Sequence, residues 1–157
     1  MWLKSNIRFF FLWIPLKNNT FVHYLSFFNF MKIIIAGAGD VGFHLAKLLS
    51  YEAQDTYVID FDGDKLEYIN NHLDVITKKG DATSIKLLKE IGIDSADLLL
   101  AVTESQNTNF TVSVIGKALG VKKTIARIEN TELLKNDVVD FCKFGVDIMI
   151  TTKELAA

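Results

Sequence analysis

The feature that most constrains the fold is a regular alternation, from Met31 onward, of short apolar runs with longer amphipathic stretches. The apolar runs are rich in β-branched residues, as in strands that are buried on both faces. They predict strands at 32–36, 56–60, 74–78, 98–103, 124–128 and 147–151. The stretches between them predict helices at 40–50, 64–71, 84–91, 108–119 and 131–144. Alternating strands and helices indicate an α/β fold, with helices on both faces of a parallel sheet.

The rules for connecting parallel strands then predict their order. Each crossover is expected to be right-handed, and two successive β-α-β-α-β units give the order 3-2-1-4-5-6. The prediction is a doubly wound, Rossmann-type sheet of six parallel strands. With 157 residues, half of them hydrophobic, the chain can bury one core, so a single domain is expected over residues 31–157.

A glycine-rich turn, Gly37-Ala38-Gly39-Asp40-Val41-Gly42, joins the first predicted strand to the first predicted helix. In this context the G-x-G-x-x-G pattern is typical of a dinucleotide site. Gly37 is expected to allow the tight turn, Gly39 to let the backbone approach a pyrophosphate, and Gly42 to bring helix and strand close together. The N–H groups and positive dipole end of the helix favour an anion.

An acidic residue at the end of the second strand would complete this pattern. Asp60 closes the run TYVID and is placed to accept hydrogen bonds from ribose hydroxyls. Asp62 is close enough to serve instead, although a solvated turn suits it better. A carboxylate repels a 2′-phosphate and no Arg follows it, so NAD(H) or a plain adenine nucleotide is favoured over NADP(H).

Further polar residues follow the other strands whose ends face the same crevice. Asp81 follows strand three, where it either meets an adenosine or caps the helix begun by Ala82 and Thr83. Thr103 and Glu104 follow strand four and are expected to contact ribose or phosphates. Arg127 lies within an apolar run and needs an anionic partner, which is a ligand, a neighbouring subunit, Glu129 or Asp97.

Nothing in the sequence supplies a catalytic apparatus beside this predicted site. A dehydrogenase needs a substrate-holding region and an acid or base near the nicotinamide. His44 and His72 are expected on helix surfaces, and no Ser or Cys has a plausible base partner. The expectation is binding without catalysis. The net charge of −2, with scattered lysines, gives no reason to expect nucleic acid as a partner.

Residues 1–30 differ in composition from the rest of the chain. They hold more than half of the aromatic residues and the only proline, with three Lys or Arg and no acidic side chain. The segment does not match a signal peptide, because it has no small-residue cleavage site. It does not match a membrane-spanning helix either, because its apolar run is too short to span a bilayer and is interrupted by Pro15 and Lys17. An interfacial anchor is one alternative. The preferred reading is a mis-assigned start or a disordered leader, with Met31 as the natural first residue.

The sequence from Met31 onward resembles the N-terminal nucleotide-binding domain of potassium transport regulators, known as RCK or KTN, in particular those of the Trk potassium uptake system. The resemblance rests on an ordered set of stretches rather than on the glycine motif alone. They are MKIIIAGAGDVGFHLAKLLS, VIDFDGDKLEYI, GDATSIKLLKEIGIDSADLLLAVTESQNTN, KKTIARIEN and FGVDIMITTKELAA.

This resemblance implies a regulatory role without enzymatic activity. It implies that the pyrophosphate is held by Gly37, Ala38, Gly39, Asp40 and Val41, and the ribose by Asp60. It also implies that Thr103 and Glu104 line the side of the crevice, and that Arg127 contacts a phosphate or a neighbouring subunit. The implied ligand is NAD(H), or ATP or ADP in some members. The implied assembly is a cytoplasmic homo-oligomer at the inner face of the membrane, where ligand exchange gates a TrkH-type potassium channel subunit.

The sequence departs from the family's pattern in two places. Thr152-Lys153 stand where the family often has Pro-Glu, and the sequence stops at Ala157 without the family's C-terminal ligand domain. A gene fragment or a solitary module is therefore expected. The rival functions are a fragment of an NAD-dependent oxidoreductase and an interaction module that binds no nucleotide.

Overall fold

Six parallel strands form the centre of the fold. A computed structural model describes residues 31–52, 54–135 and 138–151, so the predictions for residues 1–30 and for the end of the chain lie outside the described residues. The strands are β1 (Lys32–Ala36), β2 (Asp55–Asp60), β3 (Ile76–Lys79), β4 (Leu98–Ala101), β5 (Lys123–Arg127) and β6 (Ile148–Ile150). They pair in the order β3-β2-β1-β4-β5-β6, and all the pairs are parallel. The predicted doubly wound sheet and its strand order are confirmed.

Five α-helices and two 3-10 turns connect these strands within the described residues. The helices are α1 (Asp40–Tyr51), α2 (Gly63–His72), α3 (Ile85–Glu90), α4 (Gln106–Ala118) and α5 (Thr131–Leu134). The 3-10 turns are Ile93–Ser95 and Phe141–Phe144. Within these same ranges, no helix is long and apolar enough to cross a membrane.

The residues of β1 show how the sheet divides the core into two layers. Successive side chains of a strand point to opposite faces, and both faces of β1 are buried. Ile33 and Ile35 pack in a cluster with residues of α1 and α2, whereas Ile34 and Ala36 pack in a cluster with residues of α3 and α4. Helices therefore cover both faces, and the carboxyl ends of the strands remain available for a site.

The predicted helix over residues 131–144 is wrong. Helix α5 ends at Leu134, and a separate 3-10 turn begins at Phe141, where the Asp140 carboxylate accepts a hydrogen bond from the Cys142 N–H at 3.2 Å. Val138, an apolar residue between the two elements, is 93% exposed. A side chain that bonds the backbone two residues on, as Asp140 does, competes with the hydrogen bonds of a continuous helix. The other predicted elements match the observed ones to within two residues at each end.

Candidate functional site

A crevice with a volume of about 720 Å³ lies at the carboxyl ends of the central strands. Its volume falls in the range typical of small-molecule and cofactor sites. The structure brings most of the residues predicted for the site together along its walls, although they come from five separate segments of the chain. These residues are Gly37, Gly39, Asp40, Val41, Asp60, Asp81, Thr103, Glu104 and Arg127.

Ala38 and Gly42 also belong to the glycine loop, but they support the crevice from behind its surface. Ala38 is buried, and its N–H donates to the Asp60 carboxylate at 2.6 Å. A Cβ on Gly42 would collide with the carbonyl oxygen of Gly37. Gly42 therefore allows the start of α1 to pack directly against the loop, as its position in the motif predicts.

Gly37 makes the sharp turn out of β1. Its φ of 115° is in the region that favours glycine, and a Cβ there would lie 2.8 Å from the Thr103 backbone nitrogen. Its own N–H donates to the Ile59 carbonyl oxygen at 2.8 Å. The loop is thus held against the ends of β2 and β4, the two strands beside β1.

The N-terminus of α1 differs from those of the other described α-helices. Asp62, Ser84, Ser105 and Asn130 each accept a hydrogen bond from the first turn of the helix that they precede. Gly39 precedes α1 and has no side chain that could do so. A Cβ added to Gly39 would meet nothing within 4 Å. The first turn of α1 therefore presents its N–H groups and its positive dipole end to an open part of the crevice.

Asp60 and Asp62 have different structural roles. Asp60 lines the crevice at the end of β2, whereas Asp62 is the N-cap of α2, with Oδ1 accepting from the N–H groups of Asp64 at 3.0 Å and Lys65 at 3.3 Å. The Asp60 carboxylate also accepts the Asp62 N–H at 2.9 Å. This geometry favours Asp60 over Asp62 as the ribose-binding candidate.

The wall formed by Thr103 is organised by Asn109, a fully buried residue of α4. The Asn109 Oδ1 accepts from the Thr103 N–H at 2.8 Å and the Thr103 hydroxyl at 2.6 Å. Its Nδ2 donates to the carbonyl oxygens of Thr103 at 3.0 Å and Arg127 at 2.9 Å. One carboxamide thus joins the ends of β4 and β5, and it engages both the N–H and the hydroxyl of Thr103, the residue that was expected to contact a ligand.

Arg127 reaches the crevice from the end of β5. Its Nε lies 3.4 Å from the Glu129 Oε1, so one of the anionic partners considered from the sequence is present. Its Nη2 donates to the Glu104 carbonyl oxygen at 3.4 Å. The Nε is buried and makes no hydrogen bond within the described part of the chain. Asp97, the other internal partner considered, instead pairs with Lys122 at 2.6 Å.

Asp81 does not cap a helix. Its Oδ1 accepts from the Thr83 N–H at 2.8 Å and the Thr83 hydroxyl at 2.7 Å, and these bonds lower the pKa of Asp81. The helix that follows starts later, at Ile85, and Ser84 is its cap. Asp81 is therefore the ordered acid of a turn that lines the crevice beyond β3.

Sequence reasoning missed several other crevice residues, chiefly Phe61 and Lys65 on the side of α2, and Ser105 and Thr108 at the start of α4. Phe61 directly follows Asp60 and is 79% exposed. A large aromatic residue directly after Asp60, at the predicted end of a strand, would have been a usable signal. The sequence holds no such signal for Lys65, because only the packing of α2 brings its side chain to the crevice.

These features together fit an anionic nucleotide. An uncapped helix end lies behind the glycine loop, a carboxylate stands at the end of β2, and the cationic side chain of Arg127 lines the far side. The first and third features suit phosphate oxygens, and the second suits hydroxyl donors. The residues present can therefore hold the diphosphate and ribose of a dinucleotide.

Comparison with known proteins identifies the family of the chain. The TrkA-N domain family matches residues 33–152. A Trk system potassium uptake protein TrkA homolog from Archaeoglobus fulgidus is 37% identical over 120 residues, covering 76% of this chain and 27% of that protein. The Trk system potassium uptake protein TrkA of Halomonas elongata is 38% identical over 127 residues, covering 80% of this chain and 28% of that protein. The chain thus spans less than a third of the length of these relatives.

Solved structures show the same fold. The TrkA-N domain of the inner membrane protein ybaL from Escherichia coli superposes with a TM-score of 0.66 at 15% identity, covering 79% of this chain and 89% of that chain. A GsuK channel bound to NAD superposes with a TM-score of 0.64 at 16% identity, covering 95% of this chain and 24% of that chain. Because the family matches most of the sequence, from β1 to beyond β6, the chain belongs to the TrkA-N domain family.

Proposed function

We propose that the crevice binds NAD(H) and that the chain acts as a nucleotide-binding regulatory domain of a potassium uptake system, without enzymatic activity of its own. The observation that carries the proposal is the uncapped N-terminus of α1, which faces the crevice behind the glycine loop, next to Asp60. The similarity to Trk system proteins supports the potassium-transport context.

This geometry supports the following set of ligand contacts. The backbone of Gly37, Gly39, Asp40 and Val41 would hold the pyrophosphate, with Ala38 and Gly42 supporting the loop. Asp60 would bind the ribose, and Asp81, Thr103, Glu104 and Arg127 would complete the walls. A related channel, GsuK, has been solved with NAD and with ADP, which makes ATP and ADP the alternative ligands to test.

The regulatory step requires that the ligand bind two states of the protein with different affinities. We propose that the chain works as a homo-oligomer at the cytoplasmic face of the membrane, in contact with a TrkH-type potassium channel subunit. Ligand exchange would then shift the conformation of the assembly and change potassium flow. Potassium flux measured in vesicles carrying both proteins, with and without NADH, tests this step, and a flux unaffected by any nucleotide would contradict it.

Calorimetric titration tests the binding step. The wild type is titrated with NADH, NAD, ATP and ADP, and the titrations are repeated on Asp60→Ala and on Asp74→Ala, an exposed acid outside the crevice. We expect Asp60→Ala to weaken NADH binding by about tenfold or more, because it removes a charged acceptor of ribose hydrogen bonds. Asp74→Ala should leave the affinity unchanged. Absence of binding by every nucleotide, or equal affinities of wild type and Asp60→Ala for NADH, would contradict the assignment.

A steady-state assay separates this proposal from an oxidoreductase fragment. NADH is incubated with the protein and a panel of carbonyl substrates, and its absorbance is followed. The regulatory reading predicts no turnover, whereas sustained oxidation of NADH would contradict it.

A further inference from the structure

One ion pair in the crevice joins residues that are 39 positions apart in sequence, Lys65 and Glu104. The Lys65 Nζ lies 3.9 Å from the Glu104 Oε1. Lys65 belongs to the first turn of α2, and Glu104 to the loop between β4 and α4. Both residues line the crevice.

The strand order determines what this pair passes over. β1 lies between β2 and β4 in the sheet. Lys65 follows β2 and Glu104 follows β4, so a contact between them crosses the section of the crevice in front of β1. That section holds the glycine loop and the uncapped start of α1.

The charges at this position favour replacement of the Glu104 carboxylate by a phosphate as the partner of Lys65. A diphosphate held by the glycine loop would lie near Lys65 and would attract its ammonium group, while it would repel the Glu104 carboxylate. The pair is easily broken, because the two side chains are 42% and 88% exposed and the charges are 3.9 Å apart. Glu104 therefore places a weakly held negative charge close to where the ligand's phosphates are expected.

We propose that Lys65 is a diphosphate-binding residue of this site and that Glu104 occupies it only while the crevice holds no nucleotide. Binding then exchanges a carboxylate for a phosphate at the same ammonium group. The inference rests on the proposed nucleotide function and refines the role of Glu104, whose carboxylate opposes the ligand rather than holding it.

Titration of charge variants tests the exchange. NADH and ADP affinities are measured by calorimetry for the wild type, Lys65→Met, Glu104→Gln and the double variant, and inorganic pyrophosphate is used to displace NADH. We expect Lys65→Met to weaken NADH, ADP and pyrophosphate by about three- to tenfold. Glu104→Gln should strengthen them by about two- to fivefold, because the ammonium group is no longer held by an internal anion.

The double variant separates exchange from simple repulsion. If the two groups are coupled, Glu104→Gln should strengthen binding much less when Lys65 is already Met. Lys65→Arg, which keeps the charge, should bind NADH nearly as well as the wild type. Lys47→Met and Glu67→Gln make the same charge changes at exposed positions outside the crevice and should leave the affinities unchanged.

Two results would overturn the proposal. One is an NADH affinity of Lys65→Met within twofold of wild type, and the other is an undiminished effect of Glu104→Gln in the double variant. If Asp60→Ala weakens binding while Lys65→Met does not, only the exchange is wrong. If the wild type binds no nucleotide, both the proposed function and the proposed exchange at Lys65 are wrong. Melting temperatures of all variants show whether a loss of affinity comes from unfolding.

Discussion

At the scale of single residues, Gly39 and Gly42 of the glycine loop are constrained by different surroundings. A side chain at Gly42 would collide with the Gly37 carbonyl inside the protein, whereas a side chain at Gly39 would extend into open space. Gly39 also has a φ of −70°, which any residue adopts. The fold therefore requires Gly42, while only a ligand in the crevice would require Gly39.

A pair of alanine substitutions tests this difference. Gly39→Ala should change the free energy of unfolding by less than about 0.5 kcal/mol, since its methyl group touches nothing. It should still weaken NADH binding by roughly tenfold, because the methyl group takes the space of the phosphates. Gly42→Ala should lower the free energy of unfolding by roughly 1–3 kcal/mol through overpacking. Denaturant unfolding and calorimetry measure the two effects, and tight NADH binding by Gly39→Ala would contradict the phosphate position.

At the scale of secondary-structure elements, Asp147 fastens the edge strand β6 to its neighbours. Its Oδ2 accepts from the Lys117 ammonium of α4 at 2.7 Å and from the Thr124 N–H of β5 at 2.8 Å. Its own N–H donates to the Thr124 hydroxyl at 3.0 Å. Burial raises the pKa of Asp147, but hydrogen bonds from Lys117 and Thr124 and the charge of Lys117 outweigh it, so the pKa is lowered.

Asp147→Asn should therefore destabilise the protein in a pH-dependent way. A lowered pKa in the folded state means that the carboxylate stabilises the fold fully above its ordinary pKa of 3.8 and loses this effect as the pH falls through the folded pKa. We expect the variant to be less stable by about 1–3 kcal/mol near pH 7. The difference from wild type should shrink below about pH 4.

Unfolding by denaturant at a series of pH values measures this difference. Asp74→Asn, which changes an exposed acid, serves as the control and should stay close to wild type at every pH. A difference between wild type and Asp147→Asn that grows towards acid pH would contradict the role given to the carboxylate.

At the scale of the whole molecule, the crevice is assembled from loops that follow β1 to β5, so a ligand there contacts both halves of the sheet. Such a ligand binds only the folded chain and must raise its stability. The glycine loop and Asp60 come from the first half, and Thr103 and Arg127 from the second. Nucleotide binding in this crevice would thus be coupled to the cooperative unfolding of the entire domain.

Thermal unfolding with and without NADH measures this coupling. At an NADH concentration of about 100 times Kd, the free energy of unfolding should rise by about 2.7 kcal/mol. The Tm should then rise by roughly 5–10 °C for a domain of this size. Asp60→Ala should show a much smaller increase at the same NADH concentration. An increase as large in Asp60→Ala as in wild type would show that NADH stabilises the protein from another place.

The parts of the fold that were predictable follow from local patterns. β-branched runs such as that of β1, and the glycine turn after it, specify their structure within a few residues, and the connection rules convert the element order into a sheet. The candidate site was predictable for a related reason, because the ends of parallel strands meet at one edge of the sheet. Asp60, Thr103 and Arg127 could be placed there from their positions alone.

The remaining features depend on contacts between segments that are distant in sequence. The division of residues 131–144 into a helix and a 3-10 turn leaves Leu134 and Phe141 packed against the core from two separate elements, whereas Val138 is exposed. Asn109 joins two strand ends, and Lys65 meets Glu104 across the glycine loop, only after the sheet has brought them together. The sequence alone thus determined the strands, their order and the glycine turn after β1, since these follow from short-range patterns and the connection rules. The tertiary structure alone decided the charge pairing across the crevice, since it depends on the packing of helices against the sheet.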